Sequence, residues 1–503
     1  MKNINILNKL CFVFVILFIN NNGFSQNTNT VSVRNKVTLK EAHKGDLAID
    51  TMLLDSYGLL PENIRQFYME SRFIFSENRD ANFTNIKILA SAKKHNMALI
   101  GGPMLGNLKQ DKVTIWLRKS STAPLTVKAI NLDNNIEKIY YKKNIDPGVE
   151  QRIVLDGLAA NSDYKYEIYE NKLKIAEGKF TTAPTSEEKG LFKLAFGSDF
   201  HKVGLHNPNL VTQIIKRDPK VMLLLGDIAV DDRENKINMH RSDYLLRDMS
   251  KPWRYLSANI PLYTAWDDHD YLNNDLSGTP ERFTTDDVDA LRAMWYQNWN
   301  NPKYKGEGIY FSTQIGLVEV IMLDTRSCRN VEARGQYGCY LGMEQQNWLK
   351  ETLKNSTAPF KIISSGTMWS DDISNGKDSW GTWDTLAREE IFNLIEVENI
   401  SGVLLISGDR HGTRAFNIPR PSGYTLYEFE AGTLGGVPGP EAMAKDTTNQ
   451  LFGYAGTDVI AFGEFIFNTK IDKPEVTFRL IDEHGEILEK HVLTYDQLTP
   501  QKK

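Results

Sequence analysis

Leu191-Phe192-Lys193-Leu194-Ala195-Phe196-Gly197-Ser198-Asp199-Phe200-His201 is a short apolar run that ends on Gly-Ser-Asp-x-His. The same pattern recurs downstream. Val221–Leu225 leads into Gly226-Asp227, Pro261–Ala265 into Trp266-Asp267-Asp268-His269-Asp270, and Val318–Leu323 into Asp324-Thr325-Arg326. Val403–Ile406 leads into Ser407-Gly408-Asp409-Arg410-His411, and Lys361–Ile363 is a further run without an acid behind it. Nearly continuous apolar runs of this length read as strands buried on both faces. Helical stretches separate several of them. In one, Thr285 can cap a helix over Asp286–Asn300 whose Val288, Leu291, Trp295 and Trp299 share a face, with Pro302 beyond its end. Strands alternating with helices predict an α/β core.

In such a core, ligands bind outside the carboxyl ends of the strands, so the acidic strand ends should converge. Converging carboxylates repel one another and hold protons unless cations neutralise them. Asp199, Asp227, Asp268 and Asp409 carry four negative charges, which two divalent ions would balance. His201 and His411 would complete a mixed oxygen and nitrogen donor set suited to Zn, Fe or Mn. Gly197, Gly226 and Gly408 allow the close backbone approach such turns require. Two ions held this way would activate a bridging water and clamp the oxygens of an in-line displacement at phosphorus. His269, next to Asp268, is placed to protonate the departing alkoxide. Arg326 and Arg410 are candidates to hold non-bridging phosphate oxygens or, alternatively, to pair with neighbouring carboxylates. Trp369, Trp380 and Trp383 are read as either cleft walls or core.

The motifs Asp199-x-His201, Gly226-Asp227, Asp268-His269 and Gly408-Asp409-x-His411 resemble those of the calcineurin-like metallophosphoesterases. Within that group the chain is similar to the alkaline phosphatase D (PhoD-like) family. This closer likeness rests on Trp266 to Asp270, Leu323-Asp324-Thr325-Arg326, the Leu341-Gly342 to Trp348-Leu349 segment and Ser407 to His411. It extends to Val113-Thr114-Ile115-Trp116 and Phe180-Thr181-Thr182-Ala183-Pro184 upstream, so that it spans roughly residues 97–495. The resemblance implies a four-layer α/β sandwich, two central mixed sheets flanked by helices, and hydrolysis of phosphate esters, often diesters, outside the cytoplasm. It also implies calcium as a further possible ion. Three positions depart from the family pattern. Asp199 stands where founding members have Cys, Val230 stands where they have Tyr, and the strand end at Ser364-Ser365-Gly366-Thr367 lacks the His that many relatives use for the second metal. His201 could take the coordination position that Tyr fills elsewhere.

Outward from this catalytic region (190–495), the preceding segment changes character. Val113, Ile115 and Leu117 alternate with polar residues, as do Leu125, Val127 and Ala129, and further short runs follow between turns such as Asp146-Pro147-Gly148. This predicts a small fibronectin type III-like β-sandwich over residues 97–185. Residues 26–96 are expected to be mainly helical beyond a polar start, with a packing or lid role and no chemistry. Residues 1–25 read as a secretory signal: Lys2 and Lys9 precede the ten apolar residues Leu10 to Ile19, too few for the roughly 18 to 20 that span a bilayer. The protein is therefore expected to be exported, periplasmic or extracellular, with no membrane span after signal removal. In an oxidising compartment Cys328 and Cys339 would have one pairing, a disulfide contributing about 3 kcal/mol.

The whole chain has 503 residues and a net charge of −5, which argues against nucleic-acid binding by bulk charge. Its 41% hydrophobic and 24% charged content excludes disordered and multi-span membrane classes. No feature specifies an oligomeric state. Two functions follow from these residues. The first is an exported metal-dependent phosphoesterase acting on small or polymeric mono- or diesters. The second is a catalytically silent surface protein that binds glycan or phosphate, favoured by the missing His near Thr367.

Overall fold

Apolar residues at every second position of Leu125–Asn131 turn Leu125, Val127 and Ala129 inward and leave Thr126, Lys128 and Ile130 half-buried. This strand lies in a four-stranded antiparallel sheet, in the order Glu137–Lys142, Leu125–Asn131, Asp163–Glu170, Leu173–Thr181. A second sheet places Val113–Lys119 between Leu99–Gly106 and Glu150–Leu155. Val127, Ala129, Tyr166 and Ile168 share a core with Val113, Ile115 and Ile153, as a small sandwich requires. The second sheet departs from the expected alternation, because Val113–Lys119 is buried on both faces. Its polar-side residues meet the end of a downstream helix. The Trp116 indole N–H donates to the Gln297 carbonyl at 3.0 Å, and the Arg118 guanidinium donates to Asn298 Oδ1 at 3.3 Å while covering the Phe83 ring.

The structure, a computed structural model, describes residues 37–501 apart from 59, 231–235, 374–377, 438 and 440 and the side chain of Leu39. The secretory signal expected at residues 1–25 lies outside the described residues. No helix among them is long and apolar enough to cross a membrane. Four helices open the described chain: α1 (Leu39–Ala42), α2 (Leu47–Leu54), α3 (Glu62–Glu77) and α4 (Ile86–Lys94).

Beyond the sandwich, two large mixed sheets form. The six-stranded sheet runs Leu262–Thr264, Val221–Leu224, Leu191–Gly197, Ala461–Asn468, Glu475–Asp482, Ile487–Thr494, with its first three strands parallel. In the seven-stranded sheet Val318–Met322, Phe360–Ser364, Val403–Ser407 and Thr425–Ala431 are parallel neighbours. Side chains along these parallel strands divide between two cores. Val320, Met322, Ile362, Leu404, Ile406 and Phe429 pack between the sheets, where Phe429 stacks on Phe478 with ring centroids 4.2 Å apart. Ile321, Leu323, Ile363, Val403 and Leu405 face the other way, onto Leu349, Leu353, Ile391 and Ile395 of the helices Gly342–Asn355 and Trp380–Val397. Helices Pro208–Arg217 and Lys251–Asn259 pack against each other and supply Leu210, Ile214, Trp253 and Leu256 to the first core. The four layers are thus helix, sheet, sheet, helix, and the double burial explains the continuous apolar runs.

Two local expectations are corrected. The helix near residue 290 spans Thr285–Asn298, and its cap is Thr284, not Thr285. The Thr284 hydroxyl accepts from the Asp287 N–H while the Asp287 carboxylate accepts from the Thr284 N–H, a reciprocal pair unavailable one residue later. The second correction concerns the cysteines. Cys328 and Cys339 are free thiols, not a disulfide. Cys339 is turned into the core, where its Sγ donates to the Trp383 carbonyl at 3.1 Å, while Cys328 Sγ lies 3.7 Å from the Ser327 hydroxyl. Sequence spacing permitted a bridge, but the side chains have other partners.

Candidate metal centre at the strand ends

Each parallel strand of the two sheets ends on the same side, and the turns that follow are tied to one another through the backbone. Asp199 N–H donates to the Gly226 carbonyl (3.1 Å), His201 N–H to the Asp227 carbonyl (2.8 Å), and Gly408 N–H to the Gly366 carbonyl (3.2 Å). A Cβ on Gly226 would overlap Asp267, and one on Gly408 would overlap Ser198, so the closeness of these turns depends on glycine. Asp199, His201, Asp227, Asp409 and His411 all adopt left-handed backbone conformations, with φ of 60°, 46°, 55°, 73° and 47°. Non-glycine residues pay on the order of 1 kcal/mol or more each for this, and such clusters mark functional turns.

The turns bring together three groups of donor atoms. In the first, Asp199, His201 and His411 offer ligand atoms that all lie within 4.8 Å of one another. His411 Nδ1 is 3.3 Å from Asp199 Oδ1, and His201 Nε2 is 3.7 Å from the same oxygen and 4.0 Å from Asp227 Oδ2. In the second, Asp267, Asp268 and Asp409 converge equally closely. Asp227, Asp268 and His269 make a third group that joins them. Asp268 is oriented by two backbone donors, His269 N–H at 2.9 Å and Asp275 N–H at 2.6 Å, and His269 N–H also reaches Asp227 Oδ1 at 3.2 Å.

Electrostatics fit a site built for cations. Burial, then repulsion from Asp268, Asp267 and Asp199, pushes the Asp227 carboxyl well above the usual range. Burial and the neighbouring Asp267, Asp378 and Asp268 do the same to Asp409, although Arg326 opposes them. Against burial, His411 and His201 hold Asp199 low, and Arg326 and His269 hold Asp268 low. Burial lowers the His411 imidazole to about 4, so it is neutral and able to donate a lone pair at ordinary pH. Asp199 Oδ1 and Asp409 Oδ2 are buried without a hydrogen-bond donor. Buried carboxylate oxygens of this kind, beside neutral imidazole nitrogens, suit divalent ions, so the residues present fit the group.

The two arginines differ. Arg326 is fully buried, with Nε and Nη2 donating to Asp267 at 2.5 and 2.8 Å, Nη1 2.9 Å from Asp378 and Nη2 3.3 Å from Asp409. Its guanidinium is therefore engaged with carboxylates. Arg410 is freer: its Nη1 lies 3.8 Å from Asp409, and 12% of its side chain remains exposed. Thr367, at the position that lacks His, is hydrogen-bonded to the Tyr340 hydroxyl. Trp369 and Trp380 stack in the core, whereas Trp383 lines a cavity of about 890 Å³ together with Asp275, Arg329, Arg334 and Asp378.

Two residues of the site were not read from the sequence. Asp267 was passed over for its neighbour Asp268, although both stand in the same acidic run. His43 belongs to the N-terminal helical segment in which no chemistry was expected, and its ring lies 4.1 Å from that of His269. No motif surrounds it.

With this geometry in hand, the comparisons are specific. The sequence profile of the PhoD-like phosphatase family matches residues 212–480. Alkaline phosphatase D of Bacillus subtilis (strain 168) is 27% identical over 221 residues, covering 38% of this chain and 36% of that protein. The match thus spans about a third of the relative's length. A solved structure of PhoD superposes with a TM-score of 0.64, covering 80% of this chain and 91% of that one at 16% identity. The purple acid phosphatase PPD1 from yellow lupin (Lupinus luteus) seeds gives 0.59, with 79% and 76% coverage at 14% identity. At those identities the structural likeness is one of fold.

Proposed function

We propose that this chain, which belongs to the PhoD-like phosphatase family, is a metal-dependent phosphoesterase that hydrolyses mono- or diesters at the strand-end centre. The observation that carries the reading is the convergence of Asp199, His201 and His411 beside Asp267, Asp268 and Asp409. Asp199, His201 and His411 would hold one ion, Asp268 and Asp409 the other, with Asp227 between them. Bound divalent ions supply Lewis-acid activation of water and charge opposite the phosphoryl oxygens.

The chain's own residues supply the rest. Arg410 points its partly exposed guanidinium toward the centre, where it can hold a phosphoryl oxygen. Arg326 keeps the crowded carboxylates in register. His269 donates a proton to the departing ester oxygen, which would otherwise leave as an alkoxide. The cavity beside Trp383 offers room for the organic part of an ester. The segment over residues 97–185 acts as a structural companion, and the chain works outside the cytoplasm.

Elemental analysis of the purified protein, with turnover of 4-nitrophenyl phosphate and bis(4-nitrophenyl) phosphate before and after chelation, tests the reading. The expected result is stoichiometric metal and hydrolysis that chelator abolishes and metal restores. Metal-free, folded protein that is inert toward both esters would overturn it and favour the glycan- or phosphate-binding alternative.

A further inference from the structure

We infer that Arg414 is a positioning residue for the metal-binding turn Asp409-Arg410-His411: its buried guanidinium holds the Arg410 carbonyl and, through that peptide, sets where the His411 imidazole stands. The inference rests on the reading of Asp199, His201 and His411 as ligands of one ion and extends it to a residue outside the donor groups.

Asp409 and His411 both have left-handed backbones, with φ of 73° and 47°, and Arg410 lies between them. The two donors serve different groups: Asp409 stands with Asp267 and Asp268, His411 with Asp199 and His201. The peptide that joins Arg410 to His411 is planar, so fixing its carbonyl oxygen fixes the plane from which the His411 backbone departs. His411 Nδ1 lies 3.3 Å from Asp199 Oδ1, and donor distances around a transition metal tolerate only about 0.2 Å.

Arg414 supplies such a hold. It lies in the strand Gly412–Pro419, is fully buried, and its Nη2 donates to the Arg410 carbonyl at 2.9 Å. Its Nη1 is 3.1 Å from Oε2 of Glu430, which is also fully buried and stands directly opposite across the antiparallel pairing with Thr425–Ala431. The guanidinium is thus anchored on the neighbouring strand at one end and on the turn at the other. To reach back to the turn it crosses residue 412. A Cβ on Gly412 would overlap Arg414 Nη2 and lie 2.8 Å from its Cζ. Gly412 sits in the strand and is not among the residues with positive φ, so the guanidinium, not the backbone, calls for glycine there. The turn's other backbone bonds act on either side of the Arg410 carbonyl: Arg410 N–H to the Gly408 carbonyl at 3.0 Å, and Gly456 N–H to the His411 carbonyl at 3.1 Å. A charge-assisted bond from an anchored donor is among the stronger of its kind, and groups that support ligands from behind contribute about 10–100-fold to metal affinity.

The test titrates Zn²⁺ into the metal-free full chain against a competing chelator, for the parent, Arg414→Ala, Gly412→Ala and the double variant, with urea stability of each metal-free form alongside. Arg414→Ala should weaken the tighter zinc site about tenfold. Gly412→Ala leaves Arg414 and Glu430 in the chain but displaces the guanidinium from the turn, so it should weaken the site by about as much at a smaller cost in stability. With the guanidinium gone the alanine methyl has room, and the double variant should match Arg414→Ala within about twofold. The inference is overturned if either single variant binds zinc as the parent does, since a loss of stability alone would mark the pair as merely structural, or if the two losses multiply. Should Arg414→Ala not fold, Gly412→Ala decides alone. A parent that takes up no zinc would instead strike the reading of the centre itself, so the two failures are distinguishable.

Discussion

The two halves of the centre are made from different donors. Around Asp199 stand two imidazoles, and burial keeps His411 neutral down to about pH 4. Around Asp409 stand Asp267 and Asp268, with the Arg326 guanidinium already inserted among them and with His269 reaching this half through its group with Asp227 and Asp268. The first half presents nitrogen and oxygen to an ion, as borderline transition metals prefer. The second presents mostly carboxylate oxygen, as harder cations prefer, and an incoming ion must share its carboxylates with a permanent internal charge. That charge does not neutralise the half, because Asp409 remains pushed upward by burial and by Asp267, Asp378 and Asp268 despite Arg326. With Thr367 bonded to the Tyr340 hydroxyl where many relatives have His, the donors of this half are chiefly the carboxylates of Asp267, Asp268 and Asp409.

Removing donors from each half in turn is the strongest way to break this contrast. His411→Ala should lose the tightly held ion and about 10²–10³ of kcat, whereas Asp409→Asn should keep that ion and lose about tenfold. Metal content by elemental analysis and kcat on one aryl phosphate decide it, and equal losses in both variants would erase the distinction. The next effect concerns stability. Arg326→Leu leaves Asp267 without its buried cation and takes one of two from Asp378, which keeps Arg329 at 2.9 Å, and should destabilise the metal-free protein by about 3–5 kcal/mol, read from urea midpoints. Added calcium should recover part of that loss in the variant and little in the parent, since the ion can then take the place of the guanidinium. The smallest effect is expected at the loop after Arg326. With Cys328 and Cys339 apart, reductant should change the unfolding free energy, read from urea denaturation, by less than about 0.5 kcal/mol, against about 3 kcal/mol for a bridged loop.

The imidazole half was open to reading because its signals are local. A strand buried on both faces, then glycine, then Asp or Asp-x-His, is a pattern confined to about ten residues, and parallel strands deliver their carboxyl ends to one place by topology. Asp199, Asp227 and Asp409 stand one or two residues after such a glycine, with His201 and His411 two residues beyond an Asp, whereas Asp268 stands in the acidic run after Trp266. The left-handed turns were implicit in the same residues, since Asp, His and Gly tolerate positive φ better than branched side chains do. Other features left no such trace. Thr114, Trp116 and Arg118 alternate with apolar residues like any half-exposed strand, and their burial depends on Gln297 and Asn298 arriving from far along the chain.

The chain's order of residues was enough to specify which strand ends carry charge, which layers those strands must occupy and which chemistry four carboxylates and two imidazoles can support, because periodicity and turn chemistry act over a few neighbouring residues. Folding in three dimensions settled the partners of Arg326, the separate fates of Cys328 and Cys339, and the approach of His43 to His269. Those outcomes depend on contacts between residues tens or hundreds of positions apart, and side-chain direction at such contacts is set by packing that no local pattern encodes.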